Sequence, residues 1–137
     1  MANSLDFQIT EEGPRNAVVK LTGILDTSNI SELPAIALNQ FSNNDTRMVL
    51  VGFRIDLIEW AISNPLEVNL AWQSANPQAI FPLSGRGRMN STNYGGFIPD
   101  RTRPGFTGGI QLVTANYQPA SLMNFSIVME LVKLYTT

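Results

Sequence analysis

Apolar and polar residues alternate most cleanly over residues 66–73. Leu66, Val68, Leu70 and Trp72 fall on one side of an extended chain there, and Glu67, Asn69, Ala71 and Gln73 on the other. Such a period of two predicts a half-buried strand. The last apolar run, residues 121–135, alternates from Asn124 to Leu131, with Phe125, Ile127, Met129 and Leu131 on one side and Asn124, Ser126, Val128 and Glu130 on the other. A helix also fits this run, because Ser126, Glu130 and Lys133 lie four and three residues apart and would form a polar stripe. The β-branched Ile127, Val128 and Val132 favour a strand, one that would serve as the inner scaffold of a sheet.

Shorter segments extend the pattern. Residues 6–10 predict an edge strand ahead of the Glu11-Glu-Gly-Pro14 turn, and residues 16–24 a strand with Val18 and Thr22 on one face and Val19 and Leu21 on the other. Residues 26–45 read as a long connection with one helical turn at 35–38, Pro34 being acceptable at a first helical position. Residues 47–62 are almost continuously apolar and too long for one straight strand, so a bulge or bend is expected near Gly52. Beyond the Ser63-Asn-Pro65 turn signal, this run is expected to pair with residues 66–73 as a hairpin. Residues 79–83 predict a strand that Pro82 confines to an edge or a bulge, and residues 110–114 another. Seven or eight short strands with polar turns predict an all-β fold, a single-domain antiparallel β-sandwich over residues 1–137. The jelly roll is one form open to it.

Residues 84–109 break the alternation. They hold seven of the ten glycines and four of the nine cations. A connection of this length in a compact domain is usually functional or disordered. Arg86, Arg88, Arg101 and Arg103 are offset there only by Asp100, while Tyr94, Phe97 and Phe106 offer surfaces on which guanidinium groups stack. Arginine with aromatics is the composition of interface anchors, so these seven residues form the candidate partner-binding set. A solvated loop and a single-stranded nucleic-acid surface are the competing readings. The net charge of −2 weighs against nucleic acid. As a docking loop, the segment is expected to gain order on binding.

Composition narrows the chemistry further. With no cysteine and no histidine, disulfides, Cys/His and Ser/His/Asp catalysis and the common zinc sites are excluded, leaving carboxylates, Lys, Tyr and backbone groups. No metal or cofactor is expected. The start has neither a basic n-region nor an apolar h-region, and no stretch reaches membrane-span length, so no membrane partner is expected. Charged residues make up only 15%, and a surface rich in Asn, Ser, Thr and Gln suits a protein in lasting contact with others.

Three smaller features carry alternatives. Ile24-Leu-Asp-Thr-Ser28 matches the apolar-apolar-Asp-Thr-Ser pattern of aspartic proteases, in which one such Asp per chain builds a shared-proton dyad. Those enzymes also need an apolar-apolar-Gly-Arg element, which Leu83-Ser-Gly-Arg86 imitates poorly, and an Asx/ST turn accounts for the same residues. Asp56 and Glu59 have opposite parity on a regular strand and form no dyad; a solvated pair, or pairing with Arg54, is expected. Trp60 and Trp72 are core or rim aromatics, with a sugar-stacking platform as the sharper alternative.

Taken together, several stretches resemble a group of small virion proteins of tailed bacteriophages. They are residues 23–31 (Gly-Ile-Leu-Asp-Thr-Ser-Asn-Ile-Ser), the Trp60 run followed by 66–72, Leu83-Ser-Gly-Arg-Gly87, Thr107-Gly-Gly-Ile110 and residues 125–133. The likeness extends from about residue 17 to 135. It implies a β-sandwich on the outside of an icosahedral head: a non-enzymatic decoration or cement protein, made in the host cytoplasm and resident in the virion. It would bind between subunits of the major capsid protein, commonly as a homotrimer. A place on the neck or tail, and a carbohydrate-binding sandwich, are the alternative expectations.

Overall fold

Where polar and apolar side chains alternate, the chain is extended. The computed structural model describes residues 3–30, 33–42, 48–119 and 121–136. In these residues it forms nine strands: β1 (Ser4–Glu12), β2 (Asn16–Leu25), β3 (Leu33–Ile36), β4 (Val49–Ile62), β5 (Glu67–Trp72), β6 (Gln78–Ser84), β7 (Arg86–Asn90), β8 (Ile110–Ala115) and β9 (Met123–Thr136). They lie in two antiparallel sheets packed as a sandwich. The first has the order β1-β2-β9-β4-β7 and the second β3-β8-β5-β6.

The last apolar run is therefore a strand, in the centre of the first sheet. β2 flanks it from Asn16↔Val132 to Leu25↔Met123, and β4 from Val49↔Thr136 to Ile62↔Phe125. Phe125, Ile127, Met129 and Leu131 are buried, as their alternation requires. They meet Leu66, Val68, Leu70 and Trp72 of the β5 region, together with Ile110 and Leu112 of β8, in one continuous core. Full burial of a large apolar side chain contributes about 1.5–3 kcal/mol. A one-residue slip would turn the whole set to solvent, so these side chains hold the register.

Three expectations change. The runs 47–62 and 66–73 do not pair: β4 and β5 belong to different sheets, and the 63–66 turn carries the chain across the sandwich. β4 instead matches β9, each 14 residues long, whereas β5 has six; full-length pairing satisfies more backbone groups. The helical turn expected at 35–38 is displaced. Leu33–Ile36 is edge strand β3 on β8, burying Ala35 and Ile36, and Pro34 is tolerated because the strand is at an edge. A 3₁₀ turn follows at Leu38–Gln40, where Gln40 Oε1 accepts the Ala37 N–H at 2.8 Å. The third change concerns residues 84–109, which are not one unbroken loop: Arg86–Asn90 is strand β7 and Thr92–Tyr94 a 3₁₀ turn. The bulge expected near Gly52 is present as a register shift between Leu50 and Gly52, and a second shift, between Ile55 and Leu57, leaves Asp56 unpaired with β9. β6, which holds Pro82, is an edge strand.

Candidate partner-docking surface

β4 has β9 on one side and needs backbone partners on the other. Gly85, at φ 63°, turns the chain out of β6 into β7, which pairs with β4 from Ala61↔Arg86 to Leu57↔Asn90. Arg86 and Arg88 point to the outer face with Ala61 and Glu59. Arg88 Nε lies 3.2 Å from Glu59 Oε1, an exposed pair of small energetic weight. On the inner face, a Cβ at Gly87 would come 2.5 Å from Trp60 Cζ2, so the glycine makes room for the indole. Trp60 Nε1 donates to the Ser84 carbonyl at 3.0 Å, and ring centroids run from Trp60 to Phe81 to Phe97 at 6.1 and 5.9 Å.

Past β7 the chain stays on the same edge. The buried Ser91 donates its N–H to the Asp56 carbonyl (2.8 Å) and its Oγ–H to the Ile55 carbonyl (2.7 Å). After the 3₁₀ turn Thr92–Tyr94, Gly95 and Gly96 take φ of 82° and 81°, which glycine adopts without strain. Phe97 then returns to Ile55 through reciprocal backbone bonds of 2.9 and 3.0 Å. Asp56, at the bulge, accepts from the Arg54 guanidinium at 2.8 and 3.2 Å, which agrees with the pairing expected for Asp56; Glu59 pairs with Arg88 instead. The ion pair holds Arg54 above its ordinary pKa, chiefly through that hydrogen bond. Tyr94 is left 81% exposed on a turn with fixed ends.

Residues 98–106 are tied to the β5–β6 connection. Gln78 donates its amide to the Asp100 carbonyl and accepts the Asp100 N–H, both at 3.0 Å. The Asp100 carboxylate accepts from the Thr102 hydroxyl (2.6 Å) and N–H (3.0 Å), and these bonds hold it below the usual carboxylate range. Arg103 donates to the Asn76 carbonyl at 3.2 Å. Phe106 is half-buried against the core beside Gly52. Arg101, Phe106, Leu38, Val51 and Thr107 line an open groove of about 430 Å³.

The seven candidate residues thus separate. Arg86 and Arg88 lie on an edge strand, Tyr94 on the exposed turn, and Arg101 and Arg103 on a rim beyond it. Phe97 and Phe106 do not stand free for guanidinium groups; both are half-buried anchors, and the ring that Phe97 meets is Phe81. Ile98, 58% exposed next to the inward Phe97, belongs with the rim and was missing from the sequence-derived set. Its signal was period two: when Phe97 turns in, Ile98 turns out.

No family model, curated protein or solved structure matches this chain. At Asp26 the geometry is that of a turn: the Asp26 and Thr27 amides both donate to Asn3 Oδ1 at 3.1 Å, and Thr27 Oγ1 donates to Asp26 Oδ1 at 2.9 Å. Trp72 is only 3% exposed in the core, which removes it from any sugar platform. Among the described residues no three of His, Cys, Asp and Glu are placed to hold a metal ion, and no helix is long and apolar enough to cross a membrane.

Proposed function

We propose that this is a non-enzymatic structural protein of a tailed-bacteriophage virion, a decoration or cement protein that docks on the major capsid protein and stabilises the head. The observation that carries this reading is the 94–103 rim. Tyr94 and Ile98 are exposed and are followed in the same segment by the exposed Arg101 and Arg103, on backbone that is already hydrogen-bonded to β4 and to the β5–β6 connection. An exposed aromatic anchor on a segment that also carries arginines, ordered before binding, retains the interface energy that ordering a loop would consume.

The strand order supports it. We read β2-β9-β4-β7 facing β3-β8-β5-β6, with the chain from β2 to β9 changing sheet at every connection except β5 to β6, as a jelly roll with β1 added at one edge beside β2. Jelly rolls build viral capsid and lectin domains. In this reading many copies, associating as homotrimers, each bury a modest interface and stabilise the shell by mass action on the assembled state.

The test is binding to capsids that lack the protein. Tyr94→Ala is expected to weaken binding about 30-fold, the equivalent of about 2 kcal/mol at an anchor, while the melting temperature of the free protein stays unchanged. If the wild-type chain does not bind such capsids, or if bare capsids resist heat and low salt as well as decorated ones, the reading is wrong. Imaging the virion separates the head from a neck or tail position.

A further inference from the structure

The two edges of the first sheet differ in sign. β1 carries Asp6, Glu11 and Glu12 and no cation, whereas β7 carries Arg86 and Arg88 and no anion. Glu12 is engaged by Lys133 and Arg88 touches Glu59, but Asp6, Glu11 and Arg86 are exposed. Both strands are terminal in their sheet, and among the described residues neither has a backbone partner on its outward side.

The faces also correspond. Along β1, Ser4, Asp6 and Gln8 point outward while Leu5, Phe7 and Ile9 are half-buried against the core; along β7, Arg86, Arg88 and Asn90 point outward and Met89 is half-buried. Since every neighbour in the sheet is antiparallel, β1 and β7, at positions one and five, run in the same direction. The β7 of one copy laid beside the β1 of another continues the sheet as a parallel pair. Asp6 then stands beside Arg86 or Arg88, and Leu5 and Phe7 beside Gly87 and Met89.

We propose that β7 of one copy pairs with β1 of a second copy of this chain, head to tail, through the Asp6/Glu11 and Arg86/Arg88 edges. Charges on edge strands ordinarily discourage association. Here β1 against β1, or β7 against β7, places like charges opposite one another, which is destabilising, and only the unlike pairing is favoured. The contact is heterologous, so it closes into a ring or continues as an open chain according to the rotation between copies. It rests on the multi-copy reading above and gives the copies their means of contact.

The experiment is sedimentation velocity of the purified chain with charge-reversed edges. The wild type sediments as an oligomer that high salt weakens. Asp6→Lys with Glu11→Lys, and separately Arg86→Glu with Arg88→Glu, each sediment as monomers; the first keeps the wild-type melting temperature because both positions are exposed, and the second lowers it slightly because Arg88→Glu sets a carboxylate opposite Glu59. An equal mixture of the two variants, or all four changes in one chain, regains association. A monomeric wild type, an edge variant that keeps the wild-type mass, or a mixture that stays monomeric overturns the proposal. Capsid binding is scored apart on the Asp6→Lys/Glu11→Lys monomer, whose changes lie on β1, at the opposite edge of the sheet from the candidate docking residues, so loss of self-association and loss of docking are read independently.

Discussion

Lys133 continues the inward parity of Phe125, Ile127, Met129 and Leu131, and its side chain is fully buried. Its ammonium donates to Glu12 Oε2 at 2.7 Å and to the Ser42 carbonyl at 2.9 Å, while Glu12 Oε2 also accepts the Ser42 N–H at 2.6 Å. β1 and β9 are thereby tied at one end of the sandwich. Glu12 retains 21% side-chain exposure, so the two partners are unequal. Glu12→Gln strands a buried ammonium and is expected to cost about 3 kcal/mol, whereas Lys133→Met fills the stem's volume and costs about 1 kcal/mol or less. Urea denaturation of both variants checks that ranking. The hydrogen bond from Lys133, with those from Ser42, holds the Glu12 carboxyl below its ordinary pKa against the effect of burial. A depressed pKa gives stability that is complete above the ordinary carboxylate range and is lost as pH falls through the folded-state value. Unfolding free energy of the wild type should accordingly fall on acidification, and Glu12→Gln should remove part of that slope. Parity alone places Lys133 inside; its partners, more than 90 residues away along the chain, have no sequence signal.

At the scale of elements, β7 and the turns after it show why composition located the candidate site without describing it. Seven glycines and four arginines announce that the chain can turn and can meet a partner. They do not say that β4 has an open edge which the same segment must satisfy. Gly87 and Gly85 test this division. Gly87 lacks a left-handed φ, so a side chain there fails by collision with Trp60; at Gly85 nothing lies within 4 Å and only φ 63° opposes a Cβ. Gly87→Val is expected to cost about 1–3 kcal/mol by overpacking and, in a Trp72→Phe background, to shift Trp60 emission to longer wavelength. Gly85→Ala should cost about 1 kcal/mol, the left-handed penalty, with no change in emission. Equal emission spectra for both variants would mean that β7 is not seated against the indole.

Across the whole molecule the two sheets share one core, with Trp60 on β4 in the first and Trp72 on β5 in the second. Single-tryptophan variants, Trp60→Phe and Trp72→Phe, should each unfold in one transition when followed by fluorescence and by circular dichroism; for either variant, separate midpoints from the two probes would show that the sheets melt apart. What the sequence by itself determined is the all-β sandwich and the inward set on β5 and β9, because side-chain alternation is a local property of an extended chain and burial follows it. It also confined the Pro82 strand to an edge or a bulge, since proline offers no N–H to a second neighbour, and placed the bulge near Gly52; the structure chose the edge. Only the tertiary structure decided that β4 joins β9 and not β5, that residues 33–36 are a strand, and that Phe97 and Phe106 serve the fold while Tyr94 and Ile98 face out. Strand partners are chosen by lengths, faces and open edges brought together from distant parts of the chain, and local periodicity carries no record of which edge is left to fill.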